Sequence, residues 1–116
     1  MTKLTTRDCV RIVREAGYTV ESVEHLRAYR WLLTVTTPSA GAKRLIMIQE
    51  RVLVSASDVQ DLATFIQVRT VQYGILLAHK GTFSPIAYLT HTELNDQLLL
   101  CTELPTADQF EHDHQK

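Results

Sequence analysis

Over the first stretch of the chain, apolar residues recur with a helical period. Cys9, Val10, Ile12, Val13 and Ala16 share one face behind Thr5 and Thr6, either of which can cap a helix by accepting a bond from an orphan amide. Gly17 stands where a C′ glycine ends such a helix. Arg7, Arg11 and Arg14, spaced by four and three, form a ridge on the opposite face, which either grips phosphates or keeps an amphipathic helix in solution. The period then shortens to two. Tyr18 to Glu24 alternates and predicts a strand near a sheet edge. Arg30 to Thr36 predicts a second strand, closed by the turn residues Thr37-Pro38-Ser39-Ala40-Gly41. Arg44 to Val54 predicts a third, antiparallel to the second. Its run Leu45-Ile46-Met47-Ile48 requires cover on both faces, and a polar triplet, Gln49-Glu50-Arg51, interrupts it.

Ser57-Asp58-Val59-Gln60 has the form of a capping box, and Val59, Leu62, Ala63, Ile66 and Thr70 follow on one helical face until Tyr73-Gly74. Ile75-Leu76-Leu77-Ala78 predicts a short buried strand, parallel to its neighbour after the helical crossover. Ser84-Pro85 opens another helix, with proline at the first helical position, running to Leu94. Gln97 to Thr102 predicts the last strand. After Pro105 the chain turns polar, so the expectation is a single domain over 1–104 and a mobile tail over 105–116. The order α-β-β-β-α-β-α-β predicts an α/β fold, a central mixed β-sheet flanked by helices on both faces.

Composition narrows the class without reaching function. The chain has 116 residues, 45% hydrophobic and 22% charged, the profile of an ordinary globular domain. Cys9 and Cys101 form no CxxC or Cys/His cluster, which argues against a disulfide framework or a structural zinc. No apolar stretch approaches the roughly 20 residues that span a bilayer, and residues 1–6 lack an apolar signal core. The expectation is a cytoplasmic protein with no membrane partner. The net charge of −1 hides a division: residues 1–54 carry nine Lys/Arg against five Asp/Glu, and residues 55–116 carry three against eight. The basic half suits a phosphate-bearing or acidic partner; the alternative is that both halves are simply solvated.

Several strings carry a resemblance in their order and spacing. They are the leading helix with Gly17-Tyr18-Thr19-Val20, then the strand Leu45 to Arg51 followed by Val54-Ser55-Ala56-Ser57-Asp58-Val59. Tyr73-Gly74-Ile75-Leu76-Leu77 and Lys80-Gly81-Thr82-Phe83-Ser84-Pro85-Ile86-Ala87 come after. Over residues 5–104 the chain resembles the restriction endonuclease-like superfamily, the PD-(D/E)XK fold, in its Mrr-type branch. The resemblance implies metal-dependent phosphodiester hydrolysis. That chemistry takes a carboxylate on one central strand and, on the next, an acid or glutamine followed two positions later by lysine. Together they hold a divalent cation and stabilise developing charge.

Here the chain departs from the pattern. At the second position stand Gln49, which matches, and Arg51, which replaces lysine; Trp31 to Thr36 contains no aspartate. Hard cations take charged oxygen ligands, and a planar guanidinium does not replace a compact ammonium. The resemblance therefore implies a degenerate site with no cofactor. Arg51, Gln49, Arg44, Lys43 and Lys80 would line the former cleft as nucleic-acid contacts, with Arg51 gripping a phosphate bidentately. The leading expectation is a domain that binds DNA, or a non-catalytic subunit of a DNA-processing or defence system. Two alternatives stay open. One is an active endonuclease using magnesium or manganese, with Glu50 re-aimed by a β-bulge and Glu21 or Glu24 as second carboxylate. The other is a homo-oligomeric interaction module, such as a homodimer, with a partner protein in place of nucleic acid.

Overall fold

The computed structural model describes residues 3–38, 41–93 and 97–113. The chain opens with helix α1, Thr6–Glu15, then strands β1 (Thr19–Arg27), β2 (Arg30–Thr36), β3 (Lys43–Gln49) and β4 (Leu53–Val54). Helix α2 (Ala56–Arg69), β5 (Tyr73–Ala78), β6 (Thr82–Phe83), α3 (Pro85–Glu93), β7 (Leu98–Cys101) and α4 (Ala107–Asp113) complete it. Ser39 and Ala40 of the expected turn, and Leu94 at the expected end of α3, lie outside the described residues.

Five strands form one mixed sheet in the order β1-β2-β3-β5-β7. β1, β2 and β3 are antiparallel neighbours, whereas β3, β5 and β7 run parallel. The helical crossover through α2 imposes that change, because two parallel neighbours need a connection long enough to return over the sheet. The fold is α/β with helices on both faces, as the patterning predicted. Alternation along the strands sorts the core into two layers. Leu32, Leu45, Met47 and Leu76 meet Val59, Leu62 and Ile66 of α2 and Ala87 of α3. Leu33, Val35, Ile46, Ile48, Ile75 and Leu77 meet Cys9 and Val13 of α1 and Ala107 and Phe110 of α4.

The helix starts follow local chemistry. At α1 the Asp8 amide donates to Thr5 Oγ1 at 3.1 Å while the Thr5 amide donates to Asp8 Oδ2 at 2.9 Å, a reciprocal cap. Gly17 follows that helix at φ 99. The α2 cap is Ser55, two residues earlier than the sequence signature at Ser57, because Asp58 reaches back to the Ser55 amide and hydroxyl at 2.8 and 3.0 Å. The same helix ends not at Gly74 but at Thr70, in the left-handed region with φ 56 and ψ 45.

Two expectations are corrected. The third strand does not run unbroken to Val54. Its pairing ends at Gln49, because its neighbour β2 begins only at Arg30. One more bond in the same register, from the Glu50 amide to the Tyr29 carbonyl at 2.8 Å, closes the ladder, and the chain resumes as β4, paired in parallel with β6 in a separate two-stranded sheet. The polar triplet is thus a strand end. Residues 107–113 are not a mobile tail either, since α4 buries Ala107, Phe110 and Glu111 under the sheet. Its polarity is an outer face, while Phe110 packs edge-on against Tyr73 at 6.2 Å and Glu111 meets a buried arginine.

Candidate functional site

Cross-strand register decides which side chains meet. Arg30, which opens β2, pairs directly with Gln49, which closes β3, so both side chains lie on the α2 face at the edge where β3 ends. Their surroundings are carboxylates from the first two turns of α2. The Arg30 guanidinium donates from Nε to Gln49 Oε1 at 2.8 Å, from one terminal nitrogen to Asp61 Oδ2 at 2.9 Å, and from the other to Asp58 Oδ1 at 2.5 Å. Arg30 and Asp58 are almost wholly buried, at 5% and 2% exposure, while Asp61 opens toward solvent. Burial alone would raise the Asp58 pKa. Bonds from the Ser55 backbone and hydroxyl, and from Arg30, outweigh it and hold the carboxyl below its ordinary value.

The arrangement is a closed electrostatic unit. On one rung, a fixed cation stands directly across the strands from Gln49, the residue that the resemblance assigns to metal binding. The oxygens nearest that rung already receive N–H donors, and among the described residues no three His, Cys, Asp or Glu side chains gather as metal ligands. These residues do not fit a hard divalent cation, which takes several charged oxygens around one centre. The Gln49 Nε2 atom, buried beside them, has no hydrogen-bond partner.

The residues expected to line one cleft are dispersed. Gln49 is buried in the cluster. Arg51 lies two residues beyond the end of β3, exposed, with its guanidinium 4.5 Å from the centre of the Tyr29 ring. Lys80 is exposed on the loop after β5, at φ 58. Arg44 is on the opposite face of the sheet. It is 4% exposed and donates to both oxygens of Glu111 on α4, at 3.0 and 2.9 Å. Lys43 stands at the far end of β3, 3.6 Å from Glu21.

The candidate carboxylates fare no better as metal ligands. Glu50 points away from Gln49, as alternation requires, and accepts the Leu4 amide at 2.8 Å. Glu24 is held by both terminal nitrogens of Arg69, a pairing that draws its pKa down. Sequence reasoning missed Arg30, Asp58 and Asp61. The signal was present: counting back through the hairpin places Arg30 opposite Gln49, and Asp58 and Asp61 share a helical face.

A second feature belongs to the same edge. Among the described residues, Lys3, Arg7, Arg14, Arg27, Arg51 and Lys80 have no carboxylate within ion-pair distance. Arg27 ends β1, Arg51 follows β3 and Lys80 follows β5, and these three strands run in one direction. Lys3 lines a 310 Å³ cleft there with Asp8, Arg11, Glu50, His79 and Lys80. Backbone bonds lock the loops together: the His79 amide donates to the Gln49 carbonyl and the Thr82 amide to that of Val52, at 2.8 and 2.9 Å. Gly81 is pressed so close that a Cβ there would lie 1.9 Å from the Arg51 carbonyl oxygen.

No family model matches the chain, and no curated protein matches its sequence. Among solved structures, the chain is similar to EndoMS in its apo form, a restriction endonuclease-like nuclease, with a TM-score of 0.64 and 13% identity. The match covers 90% of this chain and 48% of EndoMS, so the chain spans about half of that protein. The likeness shows the fold alone: an α/β domain whose mixed central sheet and flanking helices are consistent with a restriction endonuclease-like fold. No described helix is long and apolar enough to cross a membrane.

Proposed function

We propose that this domain keeps a nuclease fold, has given up metal-dependent hydrolysis, and acts by binding nucleic acid along the edge where β1, β3 and β5 end. The observation that carries the reading is Arg30. A side chain with a permanent positive charge stands directly opposite Gln49, on a strand with no carboxylate, and bonds to oxygens of Gln49, Asp58 and Asp61 that a metal ion would otherwise need. Lys3, Arg27, Arg51 and Lys80 support binding, since unpaired cations on rigid loops are available to phosphates. That set revises the expected one: Arg51 and Lys80 remain, while Gln49, Arg44 and Lys43 are replaced by Lys3 and Arg27.

The decisive test is a duplex DNA shift assay run alongside plasmid cleavage with manganese. The reading expects a shift that weakens on raising salt and is unchanged by EDTA, no cleavage, and a weaker shift in the Arg51→Ala, Lys80→Ala double variant. Cleavage by pure protein, lost in Glu50→Ala, would favour the active-endonuclease reading instead. A second reading, a subunit that docks a partner protein or another copy of itself, is favoured by the exposed Ile86, Tyr88 and Leu89 of α3, 64%, 51% and 64% accessible. Elution well above the 13.2 kDa chain mass on sizing, with no DNA shift, would select it.

A further inference from the structure

The three arginines of α1 are set against the helix that carries them. Arg7, Arg11 and Arg14 follow one another at spacings of four and three, so they form a single row on the solvent side, all exposed. Like charges at those spacings destabilise a helix, whereas alternating signs would support it and solvate the face equally well. Arg7 also stands in the first turn, where the positive end of the helix dipole disfavours a cation. The two carboxylates of α1 do not neutralise the row. Asp8 accepts the Thr5 amide at 2.9 Å and meets Arg11 alone, at 3.2 Å, while Glu15 ends the helix to one side of the row. Among the described residues neither Arg7 nor Arg14 has a carboxylate within ion-pair distance. Over residues 3–15 as a whole, four Lys/Arg stand against two Asp/Glu.

The row is continuous with the cationic edge. Arg7, Arg11 and Arg14 wall an open groove of about 530 Å³, which Thr6, Val10 and Glu15 also line. Arg11 lines the 310 Å³ cleft of Lys3 and Lys80 as well, so the two depressions meet at one side chain. Helix α1 starts at that edge, where the Leu4 amide donates to Glu50, and ends at Gly17, ahead of β1. From Arg7 to Arg14 it climbs about 10 Å, at about 1.5 Å per residue. A duplex presents about three phosphates per strand over that length. The other face of the sheet offers no such path. Helices α2 and α3 together hold one Lys or Arg, Arg69, which is bonded to Glu24, and α2 opens with Asp58 and Asp61.

We infer, on the footing of the nucleic-acid reading above, that α1 is the track along which a DNA duplex leaves the edge, with the backbone of one strand lying against Arg7, Arg11 and Arg14. Arg7 and Arg14 bring uncommitted planar forks that match phosphate oxygens. Contacts of this kind hold a duplex in place without reading its sequence. The duplex therefore crosses the α1 face and not the α2 face.

The experiment measures fluorescence anisotropy of a labelled duplex of about 24 base pairs, long enough to span the edge and α1, across a sodium chloride series. Two double variants change the net charge of the full chain equally. Arg7→Gln with Arg14→Gln removes two cations from the row; Lys43→Gln with Arg69→Gln removes two from the far end and the α2 side. All four side chains are exposed. The expected result is a slope of log affinity against log salt shallower by about two units in the α1 variant, with affinity lower by about tenfold. The control variant keeps the slope of the parent within about half a unit. A parent chain that binds, is weakened by Arg51→Ala with Lys80→Ala, and is untouched by the α1 variant would overturn the track and leave the edge standing. Equal losses in the two charge-matched variants would reduce the effect to net charge and overturn the track as well. A parent chain with no affinity for the duplex would end both readings together.

Discussion

Arg30 shows how differently one residue reads in a sequence and in a fold. Along the chain it is a charged residue before a tryptophan; in three dimensions it is a buried cation bridging two strands and a helix. Arg30→Ala strips Asp58 of its main charge partner while leaving it buried, so a loss of about 3–5 kcal/mol is expected in urea unfolding. The pH dependence follows from Asp58. Its folded carboxyl titrates below the ordinary 3.8, so the unfolded chain binds more protons in that interval. The contribution is complete above the ordinary value and is lost as pH falls through the lower folded value. Asp58→Asn is expected to flatten that acid limb of a urea-midpoint-against-pH curve. The two cysteines give a simpler prediction. Burial, helped at Cys9 by the charges of Asp8 and Glu50, pushes both thiols up to about 12. At pH 8 the thiolate fraction is then on the order of one in ten thousand, and both are expected to resist DTNB until denaturant is added.

At the scale of elements, periodicity made the strands and helices legible and missed what depends on distant partners. The first helix, the hairpin of β2 and β3, and the parallel β5 follow from spacing, caps and turn residues close in the chain. The end of β3 does not, because it is set by where its neighbour β2 begins, at Arg30, and by the later pairing of β4 with β6, both segments distant along the chain. Nor does α4. Its composition is that of a solvated tail, and only Arg44, a buried cation on β3 facing Glu111, explains why it docks. The site was half legible for the same reason: Gln49 and Arg51 share a short string, whereas Arg30 and the α2 carboxylates meet only through register. Glu111→Ala is expected to cost about 3–5 kcal/mol in a denaturation series, through the unpaired Arg44 it leaves behind. Amides in α4 should exchange more slowly than those of a frayed terminus.

At the scale of the whole molecule, the two ends of the sheet carry different chemistry. One edge gathers Lys3, Arg27, Arg51 and Lys80 without carboxylate partners; the other neutralises its cations, with Lys43 on Glu21, Arg44 on Glu111 and Arg69 on Glu24. A near-neutral net charge thus conceals a polar molecule, which orients toward a polyanion without being attracted to it everywhere. Four phosphate contacts correspond to a slope of about −3 to −4 in log affinity against log salt. Arg51→Ala is expected to shallow that slope by about one unit, read from fluorescence anisotropy across a salt series.

Arg30 has one more consequence, concerning what sequence change can undo. Because its charge belongs to the chain and not to a dissociable ion, no chelator removes it and no metal supplement exchanges for it. Arg30→Asp alone would crowd three acids around an empty centre, and replacing the acids first would strand the guanidinium. Each single step toward a hydrolytic centre therefore crosses a variant that folds poorly, a valley that makes the present arrangement a ratchet.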